Sequence, residues 1–193
     1  MMPMKFWIPI VAFAALLLYW GVGGVNSLVR QDEEVNAAWA QVQNQYQRRM
    51  DLIPNLVSTV KGYASHEKET LQAVIEARAN ATKVSVNLDN AKQFQEYMNA
   101  QSGLSSALSR LLAVSENYPN LKANQNFLAL QDQLEGTENR IAVARKDYIA
   151  VVRGFNQNVR TFPGIIWAMV SGLRAKPVFD AAADAQRAPV VAF

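Results

Sequence analysis

Hydrophobic residues follow two patterns in this chain: one unbroken apolar run near its start, and helically spaced positions in the rest. The unbroken run, Phe6 to Val22, carries no charged residue, and the chain stays uncharged as far as Val29. About 20 apolar residues are enough for a helix to span a bilayer. Trp7, Tyr19 and Trp20 lie near the ends of the run, where aromatic side chains concentrate at membrane interfaces. This pattern predicts one transmembrane helix.

A cleaved signal peptide is the alternative for the same segment. Lys5 supplies a minimal positive region, but bulky Tyr19 and Trp20 lie where a cleavage site needs small residues. We therefore favour an uncleaved anchor and joint over residues 1–29. The flanking charges leave the side of the membrane open, because Lys5 and the α-amino group before the anchor nearly balance Arg30 and the later arginines after it.

The clearest helical periodicity runs from Phe127 to Phe162 and predicts a helix about 50 Å long. Pro119 suits the first turn of this helix, and Pro163 ends it. The positions that face inward form two heptad rows: Phe127, Leu134, Ile141, Tyr148, Phe155 and Phe162, with Leu130, Thr137, Ala144, Val151 and Asn158 beside them.

An earlier apolar row runs from Val35 to Arg78 and contains Pro54. Because proline removes a backbone donor and crowds the preceding turn, we predict a kink or short break near Leu52–Asn55. A third, shorter helix is predicted from about Asn90 to Ser115, with Asp89 as its cap. Short connections make neighbouring helices antiparallel.

The chain after Pro163 contains a second apolar stretch, GIIWAMVSGL, which is too short to span a bilayer. We predict a short apolar helix at residues 164–176 and a flexible tail at residues 177–193. Three roles stay open for the short helix: capping the bundle, lying at the membrane interface, or contacting another subunit. The predicted fold class is all-α, with a single N-terminal transmembrane helix followed by a long antiparallel helical bundle over residues 30–163.

The amino-acid composition excludes several kinds of functional site. The absence of cysteine from the 193 residues excludes disulfides, thiolate nucleophiles and cysteine-based zinc sites, and the single histidine, His66, excludes a multi-histidine metal site. The 19 basic and 16 acidic residues interleave along the chain. That distribution is typical of a solvated helical surface and speaks against nucleic-acid binding, which favours basic residues gathered on one face.

Arg49 is the most unusual candidate residue, because it falls in an otherwise apolar row. A buried guanidinium needs a carboxylate from another helix, and structural pairing is favoured here over ligand binding. Three acidic residues of the last long helix are available as its partner: Glu135, Glu138 and Asp147. Three further polar residues interrupt core rows, as residues that fix helix register do: Gln101, Thr137 and Asn158.

Gly136 lies in the middle of a predicted helix, where glycine costs about 1 kcal/mol relative to alanine. We expect a facing helix or a large side chain to approach closely there. His66 begins no zinc-protease motif, since Thr70 stands where the second histidine belongs, and Glu67 and Glu69 point to different helix faces. We predict no catalytic, cofactor-binding or metal-binding residues, and no enzymatic activity.

Several long motifs resemble the LemA family: QRRMDLIPNL, KGYASHE, YPNLKAN and LEGTENRIAVARKDY. The resemblance covers about Asn26 to Pro163 and departs from the usual pattern at Val25, where a tyrosine commonly precedes the first asparagine. It implies a bacterial protein with an N-terminal membrane helix, a long antiparallel bundle, most of the chain in the cytoplasm and no established enzymatic activity. A relative concerned with magnetosome membrane formation suggests membrane organisation as a theme.

These observations predict a non-catalytic, membrane-anchored helical scaffold in the bacterial inner membrane, which self-associates or organises partners. The expected partners are the lipid bilayer and further copies of the chain, with no cofactor. The alternative is a membrane-tethered sensor or small-ligand-binding module, with a polar pocket around Arg49 and Gly136.

Overall fold

The computed structural model describes residues 7–179, and over that range the chain is an all-α bundle, as the sequence predicts. The helices in chain order are α1 (Trp7–Tyr63), α2 (Lys68–Lys83), α3 (Ala91–Ser115), α4 (Pro119–Lys122), α5 (Gln125–Arg160) and α6 (Gly164–Ser171). The main packing pair is α1 with α5, and α2 packs chiefly on α3. Three side-chain contacts along α1 and α5 show that they are antiparallel: Gln31 with Asn158, Trp39 with Tyr148, and Arg49 with Glu138.

The anchor and the first bundle helix are one continuous helix, α1, of 57 residues. At 1.5 Å per residue it is about 85 Å long. Its first part, from Ile8 to Trp20, exposes apolar side chains on every face, whereas from Leu28 onward one stripe of the helix is buried in the bundle. Within the described residues, α1 is the helix long and apolar enough to cross a membrane.

Pro54 does not interrupt α1, so the break predicted near Leu52–Asn55 is absent. The chain turns instead at residues 64–67, ten residues later. A proline cannot donate to the carbonyl four residues earlier, which here belongs to Met50. The Arg78 Nε of α2 donates to that carbonyl oxygen at 2.9 Å. A side chain therefore replaces the backbone donor that the proline removes, and the helix continues.

The buried residues form two clusters along the bundle. The cluster farther from the apolar segment contains residues of α1, α2, α3, α4 and α5, among them Ile53, Leu104 and Phe127. The nearer cluster is rich in aromatic residues and lies between α1, the first half of α3, the second half of α5 and α6. The second helix does not reach this nearer half, and the chain after α6 fills the space instead.

Gly172 ends α6 in the left-handed conformation, with φ of 72°. The chain then runs back along α5 without helical structure as far as Phe179. The Asn156 side chain donates to the main-chain oxygen of Lys176 (2.8 Å) and accepts from its main-chain nitrogen (2.7 Å). The Tyr148 hydroxyl donates to the main-chain oxygen of Pro177 at 2.9 Å. Three hydrogen bonds therefore hold this strap, residues 173–179, on the bundle.

The observed bounds differ from the predicted ones at three places. The short helix predicted at residues 164–176 ends at Ser171, and residues 177–179 of the predicted flexible tail are packed on the bundle; residues 180–193 lie outside the described range. The side chain of Asn90, not that of Asp89, caps α3. Pro119 begins the separate short helix α4, and Asn124 caps α5.

Because the Arg78 side chain replaces the backbone donor that Pro54 removes, we expect the effects of substituting these two residues on stability to be coupled. Arg78→Ala leaves the carbonyl oxygen of Met50 without its donor, so we expect a loss of stability of about 1–2 kcal/mol. In the Pro54→Ala background the backbone donor is restored, and Arg78→Ala should cost measurably less. Denaturant unfolding of the four proteins in detergent, followed by circular dichroism, gives the coupling energy. Equal costs in both backgrounds would contradict this account of Pro54.

Candidate functional site

A buried guanidinium stands at the centre of the bundle. The Arg49 side chain is 1% exposed and reaches from α1 towards both α3 and α5. Its Nη1 donates to Glu138 Oε1 at 2.7 Å and to Ser105 Oγ at 2.8 Å, and its Nη2 donates to Gln101 Oε1 at 2.5 Å. The guanidinium also lies over the Tyr46 ring, 5.1 Å from its centroid. Of the three acidic residues predicted as possible partners of Arg49, Glu138 is the one that pairs with it in the structure.

The arrangement ties three helices to one register. A buried charge is costly unless it is paired and hydrogen-bonded, so any sliding of α3 or α5 along α1 that separates these partners is penalised. Gln101, predicted as a register residue, takes that role through its contact with Arg49. Glu138 is 48% exposed, so its carboxylate keeps part of its hydration while neutralising the arginine.

The phenols around this centre are held neutral. Burial raises the pKa of Tyr46. The pKa of Tyr97 is raised to about 12, chiefly by burial and to a smaller extent by the neighbouring Tyr46. Both groups are therefore protonated at neutral pH, and neither is poised to act as a base. The formal charges near these phenols are the guanidinium groups of Arg49 and Arg145 and the carboxylate of Glu138.

A shallow cleft of about 150 Å³ opens beside Arg49, lined on one side by Gln101 and Ser105 of α3 and on the other by Glu138 and Arg145 of α5. A larger groove of about 440 Å³ between the same two helices shares the Ser105 and Glu138 side chains. Both terminal nitrogens of Arg49 are already hydrogen-bonded within the chain. The main role of the polar residues around Arg49 is therefore to pair the arginine.

The other predicted polar positions have local roles. Thr137 is buried and donates to the main-chain oxygen of Gln133 at 2.7 Å in its own helix. Asn158 is exposed, contrary to its predicted core position, and donates to Gln31 Oε1 of α1 at 2.6 Å.

Of the two kinds of neighbour expected at Gly136, no facing helix lies within contact distance. A large side chain does lie there: a Cβ atom would meet Arg140 of the same helix, at the ordinary contact distance of 3.6 Å. Nothing in its surroundings requires a glycine.

The histidine and its acidic neighbours do not form a reactive cluster. His66 lies in the turn between α1 and α2 rather than on a helix, and Glu67 accepts a hydrogen bond from the Tyr118 hydroxyl at 2.8 Å. Glu69 lies in the first turn of α2 and is exposed. Over residues 7–179, no group of three or more histidine or acidic side chains is arranged to hold a metal ion.

A second buried cation lies in the half of the bundle nearer the membrane segment. The Lys176 Nζ of the strap is 2.8 Å from a carboxylate oxygen of Asp32 and 2.8 Å from one of Asp89. Burial lowers the pKa of Lys176, but its contacts with the two carboxylates outweigh that effect and raise it above its ordinary value. Phe179 of the strap packs against Trp39, Phe94 and Tyr148. Sequence reasoning missed this site, because the strap has no periodicity that predicts where it packs.

The sixth helix packs where the apolar segment meets the bundle. Its Trp167 lies against Gly21 and Gly24 of α1, and a Cβ atom at Gly24 would collide with the indole. The ring of Trp167 also contacts that of Trp20 edge-on, with centroids 5.2 Å apart. These two glycines therefore serve close packing within a continuous helix. The opposite side of α6 is apolar and exposed, with Met169 and Val170 as its most exposed residues.

The comparisons with known proteins agree on one family. The model of the LemA family matches residues 38–193. A protein LemA of Metamycoplasma hominis is 25% identical over 141 residues, which is 73% of this chain and 62% of that protein. Magnetosome protein MamQ 2 of Paramagnetospirillum magneticum is 24% identical over 190 residues, covering 89% of this chain and 68% of that protein. Magnetosome protein MamQ of Magnetospirillum gryphiswaldense is 25% identical over 189 residues, again with 68% of that protein covered.

Pairing of Arg49 predicts a specific loss of stability. Glu138→Gln keeps a hydrogen-bond acceptor but removes the charge that neutralises the guanidinium, so unfolding should cost about 1–2 kcal/mol less than in the unchanged chain. The matched control is Glu135→Gln, because Glu135 is an exposed residue of the same helix whose contact is with Gln131 of that helix. Denaturant unfolding followed by circular dichroism compares the two, and equal stability of both variants would show that Glu138 does not hold Arg49.

Proposed function

Because this chain belongs to the LemA family and is a membrane-associated helical protein, we propose that it is a non-catalytic scaffold of the bacterial inner membrane. On this proposal α1 crosses the bilayer once, the bundle stands close to the membrane on the cytoplasmic side, and the protein self-associates or organises partners there. The continuity of α1 supports this proposal most directly. A single helix fixes the bundle to the anchor, so contacts between bundles also fix how the anchors lie in the bilayer.

The surface of α1 beyond the anchor supports self-association. From Val35 to Gln47 the helix carries no charged residue, although most of its positions outside the core are exposed. Surfaces that meet another protein are depleted in charge at their centre. A groove of about 480 Å³ runs beside this stretch, between Gln41 of α1 and Val143 of α5, and Val143 is 59% exposed. The charged residues that line this groove, Arg140 and Asp147, belong to α5 and not to α1. We infer that this uncharged face is where copies of the chain meet.

The relatives are compatible with a role in membrane organisation. The MamQ proteins are named as magnetosome proteins, and the resemblance to the family suggests membrane organisation as a theme. The small-ligand alternative has the cleft beside Arg49 in its favour, but the terminal nitrogens that would recognise an anionic ligand already have partners in the chain.

Self-association is tested by the mass of the full-length protein in lipid nanodiscs, measured by mass photometry over a range of protein-to-lipid ratios. We expect assemblies of more than one chain. Ala40→Arg places a charge in the uncharged face and should shift the distribution towards the monomer. Ala113→Arg, at an exposed position of α3 away from that face, should leave it unchanged. A wild-type protein that is monomeric at every ratio would rule out the self-associating scaffold.

A further inference from the structure

We propose that α6 lies in the bilayer interface and forms a second membrane contact, with its exposed apolar residues against lipid. The proposal rests on α1 crossing the membrane, as the proposed function states, but it does not depend on self-association. The partner is a lipid surface, and the contact surface consists of Phe162 and four residues of α6: Ile165, Ile166, Met169 and Val170.

The residues of this surface are not buried within the chain. Phe162 is 76% exposed, Met169 75% and Val170 72%, and the eight residues of α6 include no charged one. Exposed apolar area of this kind is unfavourable in water, and contiguous patches usually mark contact with another protein or with a membrane. The buried side of the same helix, at Ala168 and Trp167, attaches it to the rest of the protein.

The position of α6 along α1 favours lipid as the occupant. Trp167 contacts Trp20 and packs on Gly21 and Gly24, all within the uncharged run. A helix rises about 25 Å from Trp7 to Gly24 and about 35 Å from Trp7 to Arg30. The far edge of a hydrocarbon core about 30 Å thick therefore falls between Gly24 and Arg30. The exposed face of α6 continues the apolar surface of the span at this edge.

Charged residues flank α6 in the way an interfacial helix requires. Arg160 ends α5 just before it, and Arg174 follows it in the strap; both are exposed. Basic residues beside an apolar face are attracted to anionic lipid headgroups while the apolar side chains enter the acyl boundary. Asn158 and Gln31, whose side chains hydrogen-bond to one another, lie on the side away from the span and suit the aqueous boundary.

A second copy of the chain is the less favoured occupant. A stable protein–protein interface buries about 800 Å² on each partner. An eight-residue helix is only about 12 Å long, so its face alone is too small for such an interface. Lipid can cover a small apolar face, because it does not need a surface of complementary shape. The contact between α6 and the span, through Trp167, is present within one chain. Two attachments, the span and α6, would fix both the tilt and the rotation of the bundle relative to the membrane.

The absence of cysteine from the sequence allows single spin labels to test this directly. Met169→Cys in the full-length protein is labelled and reconstituted into vesicles of phosphatidylcholine and phosphatidylglycerol. Accessibility is then measured by electron paramagnetic resonance with oxygen, which partitions into lipid, and with a nickel chelate, which stays in water. Leu16→Cys in the span is the lipid control, and Ala113→Cys on α3 is the water control. Met169 is 75% exposed and Leu16 63%, and Ala113 is exposed as well, so labels at these three positions do not disturb the core.

We expect the Met169 label to favour oxygen over the nickel chelate, as the Leu16 label does, and the Ala113 label to show the opposite. A Met169 label as accessible to the nickel chelate as the Ala113 label would overturn the proposal. A Met169 label shielded from both reagents, with dipolar broadening from a second label, would mean that another copy covers α6 and would overturn it as well. A Leu16 label in water would instead refute the membrane span, so failure of the proposed function is distinguishable from failure of this inference.

Discussion

One helix that continues without interruption from an apolar segment into the bundle determines the rest of this structure. α1 supplies the apolar segment, then one wall of the bundle, and α2, α4, α5 and α6 all pack against it. Two places in this helix could interrupt it, a group of glycines and a proline. At Gly24 the missing side chain makes room for Trp167, and at Pro54 the Arg78 side chain supplies the hydrogen-bond donor that the proline lacks. At both places a residue from another helix therefore stabilises α1.

Two buried cations fix the neighbours of α1 in register. Arg49 joins α1 to α3 and α5 in the middle of the bundle, and Lys176 joins the strap to Asp32 of α1 and to Asp89, nearer the apolar segment. Apolar packing alone would allow helices to slide by a turn, because leucine, valine and aromatic side chains at heptad spacing present similar surfaces at each turn. A desolvated charge favours the observed arrangement, because separating it from its carboxylate partner leaves a buried charge unpaired.

The sequence predicts the helices well because their apolar periodicity is long and because tertiary contacts follow it. Arg49 and its partner Glu138 could be foreseen since a buried guanidinium needs a carboxylate on a facing helix. The continuity of α1 at Pro54 could not be foreseen, because it depends on a contact between Arg78 and Met50. That contact forms only after the chain has turned at residues 64–67. The strap at residues 173–179 was missed for a similar reason. Its main-chain hydrogen bonds to Asn156 and Tyr148 leave no pattern in the sequence, and its side-chain contacts, through Lys176 and Phe179, follow no periodicity.

The central claim, that one unbroken helix connects the membrane span to the bundle, is tested by a distance measurement across the glycine-containing joint. Spin labels at Leu18→Cys and Asn44→Cys, both exposed positions of α1, bracket that joint. Their separation is measured by double electron–electron resonance in nanodiscs, with unlabelled protein in excess so that the distances are those within one chain. A continuous helix places the two Cα atoms about 39 Å apart, and the labels should show one narrow distance distribution near that value. A broad distribution, or one centred well below it, would contradict a continuous helix and indicate a hinge between the span and the bundle.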